Sequence, residues 1–260
     1  MGWGAGDGGQ LDNSSTQNKS SPTQIPGSWL GAALGDTGTA QHVGGQCWAV
    51  KSDSTMWSWG SNSYGQLGQN DRTSVSSPIQ IPGTTWAVDT EKFAMGFVAA
   101  AAIKTNGTLW SWGYNTFGGL GQNNRTHYSS PVQIPGSTWT HVSGSRGSYV
   151  TAIKTDGTLW VWGKNNYGVM GQNEAYSGPA KGRSSPTQIP GTTWSSASAA
   201  PSQVNAIKTD GTLWTWGDNE NSGQLGINDV NDRSSPTQVP GTTWNYISAG
   251  RRNFFATQQL

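Results

Sequence analysis

The chain has 260 residues, a formal net charge of +1 and only 11% charged residues, together with 37 Gly and 15 Trp. So many aromatic side chains exclude an intrinsically disordered chain, which lacks the apolar surface needed to offset ordering entropy. The near-zero charge and the lack of a basic run exclude the electrostatic footprint of nucleic-acid binding, so no nucleic-acid partner is expected.

Targeting and membrane signals are missing from the sequence as well. Residues 1–4 have neither the basic n-region nor the apolar h-region of a signal peptide. The longest apolar run, residues 97–103, is strand-sized and far below the ~20 residues of a membrane span. We therefore expect no membrane span, and a location in the cytoplasm or as part of a virus particle.

One sequence pattern recurs five times, with a period of about 50 to 56 residues, which is in the range of propeller blades. Each copy contains a Trp-Gly pair and, further on, a Pro-Gly pair. The Trp-Gly pairs begin at Trp3, Trp59, Trp112, Trp162 and Trp216, and the Pro-Gly pairs at Pro26, Pro82, Pro135, Pro190 and Pro240.

Each copy predicts four short strands in chain order. In the fourth copy the first strand covers residues 150–154 and ends at Asp156-Gly157, a dipeptide typical of a two-residue hairpin turn. The second strand covers residues 158–162 and places Trp160 and Trp162 on one face. After a Gly-rich loop comes a third strand, as in residues 131–134, and after the Pro-Gly turn a fourth strand begins, as near Trp139. The fold class predicted is all-β.

The two ends of the chain complement each other. Residues 254–257 match a first strand such as residues 204–207, and residues 1–4 match the end of a second strand such as residues 214–217. Pairing of these terminal strands would close a ring and remove exposed edges. The prediction is therefore a single domain, residues 1–260, forming a five-bladed β-propeller of four-stranded antiparallel blades. Its repeat cores lie near 1–48, 49–101, 102–151, 152–205 and 206–260, the last completed by the N-terminal strand.

Three phrases resemble the regulator of chromosome condensation repeat family. They are Asp-Gly-Thr-Leu-Trp-Val-Trp-Gly at residues 156–163, Gly-Gln-Leu-Gly at 65–68 and Ile-Ser-Ala-Gly at 247–250. The resemblance implies a β-propeller with four-stranded blades. The best-known members have seven blades, so five repeats leave either a five-bladed ring or an arc completed by another chain. The matching termini favour the ring.

Catalytic and metal-binding patterns are missing. His42, His127 and His141 share no ligand spacing, and the single Cys47 has no second cysteine beside it. No nucleophile and general base can be paired, so the sequence predicts no enzyme, no catalytic residues, no metal site and no cofactor. Nearly all Trp side chains occupy repeated positions and are interpreted as packing; Trp48 is the exception that is worth testing.

Function is expected where the repeats differ. The Asp-Gly and Pro-Gly turns are nearly identical and should share one face, while the loops on the other face vary in length and content. Loops on a rigid scaffold often carry binding residues, and Arg and Tyr dominate binding hot spots. The predicted partner-binding residues on this variable face are Arg72, Arg125, Tyr128, Arg146, Tyr176, Arg183, Arg251 and Arg252.

The favoured function is therefore a non-enzymatic module for protein–protein interaction or structure. Low charge and abundant small polar residues would suit a component of a larger assembly such as a virus or phage particle. One alternative is a propeller lectin, which predicts one identical polar and aromatic glycan pocket per blade. A third hypothesis is nucleotide exchange on a GTPase, which the founding member of the family catalyses. It is the less favoured reading, because this chain has neither a basic tail nor a wedge-like insertion.

Overall fold

The computed structural model describes residues 1–4, 6, 8–11, 16–35, 45–96, 99–146, 148–174, 182–220, 222–250 and 253–259. These residues form strands, turns and short 3₁₀ segments at Thr90–Lys92 and Asn166–Gly168, and no α-helix. The all-β prediction is thereby confirmed. The strands are β1 (Gly2–Gly4), β2 (Lys19–Thr23), β3 (Gly31–Gly35), β4 (Gln46–Val50), β5 (Met56–Gly60), β6 (Val75–Gln80), β7 (Phe93–Met95), β8 (Ala99–Ile103), β9 (Leu109–Gly113), β10 (Tyr128–Gln133), β11 (Trp139–Gly144), β12 (Tyr149–Lys154), β13 (Leu159–Gly163), β14 (Arg183–Gln188), β15 (Trp194–Ala199), β16 (Gln203–Lys208), β17 (Leu213–Gly217), β18 (Arg233–Val239), β19 (Trp244–Ala249) and β20 (Phe254–Gln258).

Four antiparallel sheets of four strands follow one another along the chain: β3–β6, β7–β10, β11–β14 and β15–β18. Within each sheet the strands pair in sequence order, and the two central strands form the predicted hairpin. In β12–β13, Ile153 lies opposite Leu159, and the turn between them contains Gly157 at φ +73. This left-handed backbone favours glycine, which explains why Asp-Gly or Asn-Gly recurs there.

The strand that follows each Pro-Gly turn belongs to the next sheet rather than to the one before it. β11 starts at Trp139, and this residue lies opposite Lys154 of β12. The sheets are thus offset by one strand from the order read from the sequence. Pro has no N–H to donate and Gly136 adopts φ +98, so the segment between β10 and β11 leaves one ladder and crosses to the next.

The two ends of the chain form separate two-stranded sheets, β1–β2 and β19–β20. Among the residues that the structure describes, β20 is not paired with β1, and none of the six sheets joins the two ends. The predicted count of five blades and the predicted ring closure are therefore not confirmed. Trp3 and Phe255, on these terminal sheets, are 61% and 75% exposed.

Facing sheets bury their side chains against one another, and the repeated Trp residues are among the largest fully buried side chains. Trp112, Trp162 and Trp216 are completely buried. Trp48, which stands outside the repeat pattern, is also buried, and its ring centroid lies 5.9 Å from that of Trp112. Trp48 is therefore a packing residue between the β3–β6 and β7–β10 sheets.

The leading strands of successive sheets also bind one another directly. The Ser143 Oγ of β11 accepts a 3.1 Å hydrogen bond from the Ala199 N–H of β15, and the Ser198 Oγ of β15 accepts a 3.2 Å bond from the Ala249 N–H of β19. These bonds connect the leading strands of neighbouring sheets at equivalent positions. In the described part of the chain no helix could cross a membrane.

Candidate interaction faces

The connections between strands lie on two opposite faces of the molecule. On one face the Asp-Gly turns and the Pro-Gly turns meet, as where the Trp194 N–H donates to the Gly157 carbonyl at 2.9 Å. On the other face the loop after β13 meets the turn before β12, where the Lys164 N–H donates to the Ser148 carbonyl at 3.0 Å. We call these the constant face and the variable face, and they match the partition predicted from the sequence.

A hydrogen-bonded relay rigidifies each hairpin of the constant face. The Asp156 Oδ1 accepts from the Thr158 N–H at 3.0 Å and from the Thr158 hydroxyl at 2.6 Å. The same hydroxyl oxygen accepts from Trp160 Nε1 at 2.9 Å. The hydrogen bond from the Thr158 hydroxyl is the main reason why the pKa of the Asp156 carboxyl lies below its usual value. The relay recurs in the other sheets at residues 53–57, 106–110 and 210–214.

Lysine side chains cover the half-buried tryptophans of the constant face. The Lys154 Nζ lies 4.5 Å from the ring centroid of Trp160 and 4.7 Å from that of Trp139, within the range of a cation–π interaction. Lys51, Lys104 and Lys208 make the equivalent contacts. These rings are therefore not open stacking platforms of the kind that the lectin alternative requires.

A buried asparagine organises each loop of the variable face. The Asn115 Oδ1 accepts from the Leu120 N–H at 2.9 Å, and its Nδ2 donates to the carbonyl oxygens of Asn124 and Thr126 at 3.1 and 3.0 Å. The equivalent hydrogen bond from a backbone N–H is accepted in the other three sheets by the Oδ1 atoms of Asn62, Asn165 and Asn219. The loops that differ in sequence are thus carried on a rigid and repeated base.

An aromatic row crosses the variable face between the β3–β6 and β7–β10 sheets. The ring centroids of Tyr64 and Tyr114 are 5.0 Å apart, Tyr114 stacks on His127 at 5.0 Å, and Phe117 follows at 6.2 Å from Tyr114. All four rings are half-buried, and the Lys164 Nζ lies 4.8 Å from the Phe117 centroid.

His127 is fixed within this row by the loop itself. Its Nδ1 accepts a 2.9 Å hydrogen bond from the Asn115 N–H, which leaves the proton of the neutral ring on Nε2. Burial, with a smaller contribution from the Arg72 charge, lowers the pKa of His127 below its usual value.

Sequence reasoning missed the aromatic row. The signal was present, because Asn-x-Tyr/Phe-Gly recurs with its aromatic residue at Tyr64, Phe117 and Tyr167.

Beside the row, Tyr114 and Phe117 also line a cavity between the β7–β10 and β11–β14 sheets, together with Ala99 and Ala101. Ala101 occupies the strand position that Trp48 holds in the preceding sheet, opposite Ser111 as Trp48 is opposite Ser58.

The structure places five of the eight predicted partner-binding residues on the variable face. Arg72 and Arg125 are exposed in the loops before β6 and β10, and Arg146 is exposed in the turn before β12. Tyr128 begins β10, and its hydroxyl accepts from Asn124 Nδ2 at 3.0 Å. Arg183 begins β14.

These residues do not form one cluster. Arg72 lies in the loop before β6 and its charge acts on His127. Arg183 begins β14 and is held by Glu174 in a 2.5 Å ion pair that is exposed to solvent. Tyr176, Arg251 and Arg252 lie outside the described residues. Whether any of the eight contacts a partner stays a prediction.

Among the described residues, no three His, Cys, Asp or Glu side chains are arranged to hold a metal ion. His141 is buried on β11, with its Nε2 at 2.6 Å from the Ala197 carbonyl oxygen and its Nδ1 at 3.8 Å from Glu91 Oε2. The Cys47 thiol is buried and donates a 3.1 Å hydrogen bond to the Gln10 carbonyl oxygen, and His42 lies outside the described residues.

Comparison with known proteins agrees with this architecture. The model of the regulator of chromosome condensation (RCC1) repeat matches residues 53–91, 106–151, 156–204 and 210–256. The ultraviolet-B receptor UVR8 of Arabidopsis thaliana is 29% identical over 150 residues, which cover 57% of this chain and 31% of the receptor. The chain spans less than a third of the curated relatives it matches.

Solved structures share the fold at low identity. The crystal structure of human WBSCR16 superposes with a TM-score of 0.75 at 19% identity, over 99% of this chain and 67% of that one. Prp20p from Saccharomyces cerevisiae superposes with a TM-score of 0.72 at 17% identity, over 98% and 60%. The chain therefore belongs to the regulator of chromosome condensation (RCC1) repeat family and has that family's propeller-type fold.

Proposed function

We propose that this protein is a non-enzymatic interaction module that binds a protein partner through its variable face. The observation that carries the proposal is the half-buried aromatic row of Tyr64, Tyr114, Phe117 and His127, which is mounted on rigid loops and flanked by Lys164. Rigid aromatic side chains beside cationic ones are typical of binding hot spots. The predicted residues Arg72, Arg125, Tyr128, Arg146 and Arg183 would surround this centre.

The relatives support a protein as partner. The structure of Prp20p is described together with its binding properties to Gsp1p and histones, and a second structure of the same protein, yeast RCC1 (Prp20), is described bound to Kap60. Those partners belong to that protein. What we carry to this chain is the use of the fold as a docking surface.

Site-specific photo-cross-linking tests the choice of face. A photoreactive phenylalanine analogue replaces Phe117 on the variable face or Thr192 on the constant face, and each protein is irradiated in an extract of its source. We expect one discrete adduct from position 117 and none from position 192. Adducts only from position 192 would overturn the proposal.

The paired substitution Tyr64→Ala and Tyr114→Ala measures the contribution of the row. We expect capture of the cross-linked partner to fall by about tenfold or more, since hot-spot aromatics contribute about 2 kcal/mol or more each. Arg125→Ala and Arg183→Ala test the surrounding residues. Lys154→Ala on the constant face is the matched control and should leave capture unchanged.

We also propose that the protein serves as an accessory component of a larger assembly such as a virus or phage particle. The support is its composition, with 11% charged residues and a formal net charge of only +1. Mass spectrometry of particles purified from the source by density gradient would test this. Detection of the protein only outside the particle fractions would contradict it.

Finally, we propose that β20 pairs with β1 to close a ring of five blades. Pairing as between Val204 and Trp216 in β16–β17 would set Phe254 opposite Trp3. Cysteines at positions 3 and 254, with Cys47→Ala, should then form a disulfide within one chain on oxidation. A covalent dimer would instead indicate an arc completed by a second copy, and no cross-link would contradict closure in either form.

A further inference from the structure

On the constant face, the Pro-Gly turns at Gly83, Gly136 and Gly191 each place a glycine beside two hydrogen-bond donors. At Gly83 the backbone has φ +109, a conformation that non-glycine residues rarely adopt, so no side chain fills the space. A Cβ atom placed there would lie 3.4 Å from Trp86 Nε1 and 3.5 Å from Lys104 Nζ. The indole N–H and the ammonium group thus converge on one position beside the turn.

Neither donor has an acceptor among the described residues. Trp86 is completely buried, and its Nε1 has no hydrogen-bond partner. Lys104 Nζ lies 4.9 Å from the Trp86 centroid and 4.2 Å from that of Trp110, but no carbonyl or carboxylate oxygen of the described chain accepts from it. A buried donor without an acceptor costs about 1–3 kcal/mol, so an oxygen atom placed at this point would relieve that cost.

The same geometry recurs in the next two sheets. At Gly136 the corresponding position is 3.8 Å from Trp139 Nε1 and 3.5 Å from Lys154 Nζ, and at Gly191 both distances are 3.8 Å. The Nε1 atoms of Trp139 and Trp194 also lack a partner. The niche is therefore a repeated feature rather than an accident at one turn.

The three niches differ in charge. Lys154 and Lys208 each stand near an aspartate, Asp156 or Asp210, and the lysine charge helps to lower the pKa of that carboxyl. Near Lys104 the equivalent residue is Asn106, which is neutral.

Asn106 nevertheless makes the same bonds as the aspartates. Its Oδ1 accepts from the Thr108 N–H and hydroxyl at 3.1 and 2.7 Å. The niche at Gly83 thus keeps the shared geometry but has a lysine charge that no neighbouring carboxylate offsets.

We propose that the niche formed by Gly83, Trp86 and Lys104 binds a carboxylate. One carboxylate oxygen would accept hydrogen bonds from the indole N–H and the ammonium group, and such charge-assisted bonds are stronger than neutral ones. The ligand is either a small free carboxylate or an acidic side chain of a partner. This site lies on the constant face and is independent of the function proposed for the variable face.

The indole N–H resonances of ¹⁵N-labelled protein report on the niche directly. Sodium acetate is titrated against sodium chloride at constant ionic strength, and the resonances are assigned with Trp86→Phe, Trp139→Phe and Trp194→Phe. We expect the Trp86 resonance to shift in a saturable manner with acetate. The Trp139 and Trp194 resonances should need at least about fivefold more acetate, because a neighbouring carboxylate opposes a second negative charge.

Exchanging the charge between two sheets provides the matched controls. Asn106→Asp should abolish the Trp86 response, and Asp156→Asn should give Trp139 a response like that of Trp86 in the original protein. Both variants should fold, because each residue already occupies this position in another repeat. Lys104→Met keeps the apolar stem over the rings and should also abolish the response.

Three results would overturn the proposal: no shift of Trp86, an equal shift of all three resonances, or an equal effect of chloride. A blocked hexapeptide of glutamate in place of acetate distinguishes the sources. Binding at least about tenfold tighter than that of acetate, or 1.4 kcal/mol, indicates an acidic partner segment, and binding no tighter than acetate indicates a small free carboxylate.

Discussion

The Trp112 indole Nε1 donates a 2.9 Å hydrogen bond to the backbone carbonyl oxygen of Gln66, in the loop of the preceding sheet. Trp162 and Trp216 make the same bond to Gly119 and Val169, each at 2.8 Å, and Trp59 makes it to Gln10 at 2.9 Å. In these four repeats the second Trp therefore joins two parts of the fold through both its ring and its N–H. This relationship explains why Trp recurs at this position. Its ring is the largest aromatic surface that can be buried, and its indole N–H donates a hydrogen bond without needing a donor in return.

Replacing Trp112 with Phe tests this link. The variant keeps most of the ring packing but leaves the Gln66 carbonyl buried without its donor, so we expect a loss of about 1–3 kcal/mol in the free energy of unfolding. Urea unfolding followed by circular dichroism measures it. Trp110→Phe is the control, because the Nε1 of half-buried Trp110 bonds only to Thr108 of its own hairpin. Equal losses in the two variants would contradict a special role for the bond between sheets.

Trp48→Ala should be destabilising without affecting partner binding. The side chain is 2% exposed and packs on Trp112, and truncation of such a core aromatic costs about 3–5 kcal/mol. Thermal unfolding provides the measurement, and Trp48→Phe should cost less. A Trp48→Ala protein with unchanged stability but reduced partner capture would show that Trp48 is a contact residue after all.

His141 should make stability depend on pH. Burial is the main cause that holds its pKa below the ordinary 6.5; Lys92 acts in the same direction, while the Ala197 carbonyl and Glu91 oppose it. A lowered folded-state pKa means that the unfolded chain binds the proton more readily. The contribution of His141 is therefore complete above pH 6.5 and declines as the pH falls from there.

Melting temperatures between pH 7.5 and 5.0 measure this dependence. His141→Gln should flatten the curve over that interval, because the amide carries no titrating proton. His127→Gln should flatten it less, since His127 is less buried. A His141→Gln curve parallel to that of the original protein would refute the assignment.

The hairpin aspartates should govern stability in stronger acid. The pKa values of Asp53, Asp156 and Asp210 are lowered from 3.8, chiefly by the hydroxyl hydrogen bonds of the neighbouring Thr residues. Their contribution is present above pH 3.8 and is lost as the pH falls through the lower folded-state values. The triple Asp→Asn variant should lose less stability than the original protein when the pH is taken from 4.5 to 2.5. A steeper loss in the triple variant would exclude these carboxyls as the cause.

The local structure of each repeat could be predicted from its residues. Alternating residues such as Trp160 and Trp162 indicate a strand, and Asp156-Gly157 indicates a tight turn, because both signals depend on neighbours in sequence. For the same reason the separation of constant and variable faces followed from the antiparallel strand order. The aromatic row could not be predicted as a unit, since Tyr64 meets Tyr114 only when two sheets are set side by side.

The all-β class, the repeat and the two faces could be inferred from the residues alone, because they depend on short-range periodicity and turn chemistry. The folded protein was needed to show that Trp139 begins a new sheet, that Trp48 is buried, and that Trp86 and Lys104 both lie beside Gly83. All three share one cause. Each depends on which surfaces pack together between repeats, and a period along the chain carries no information about the distances across those interfaces.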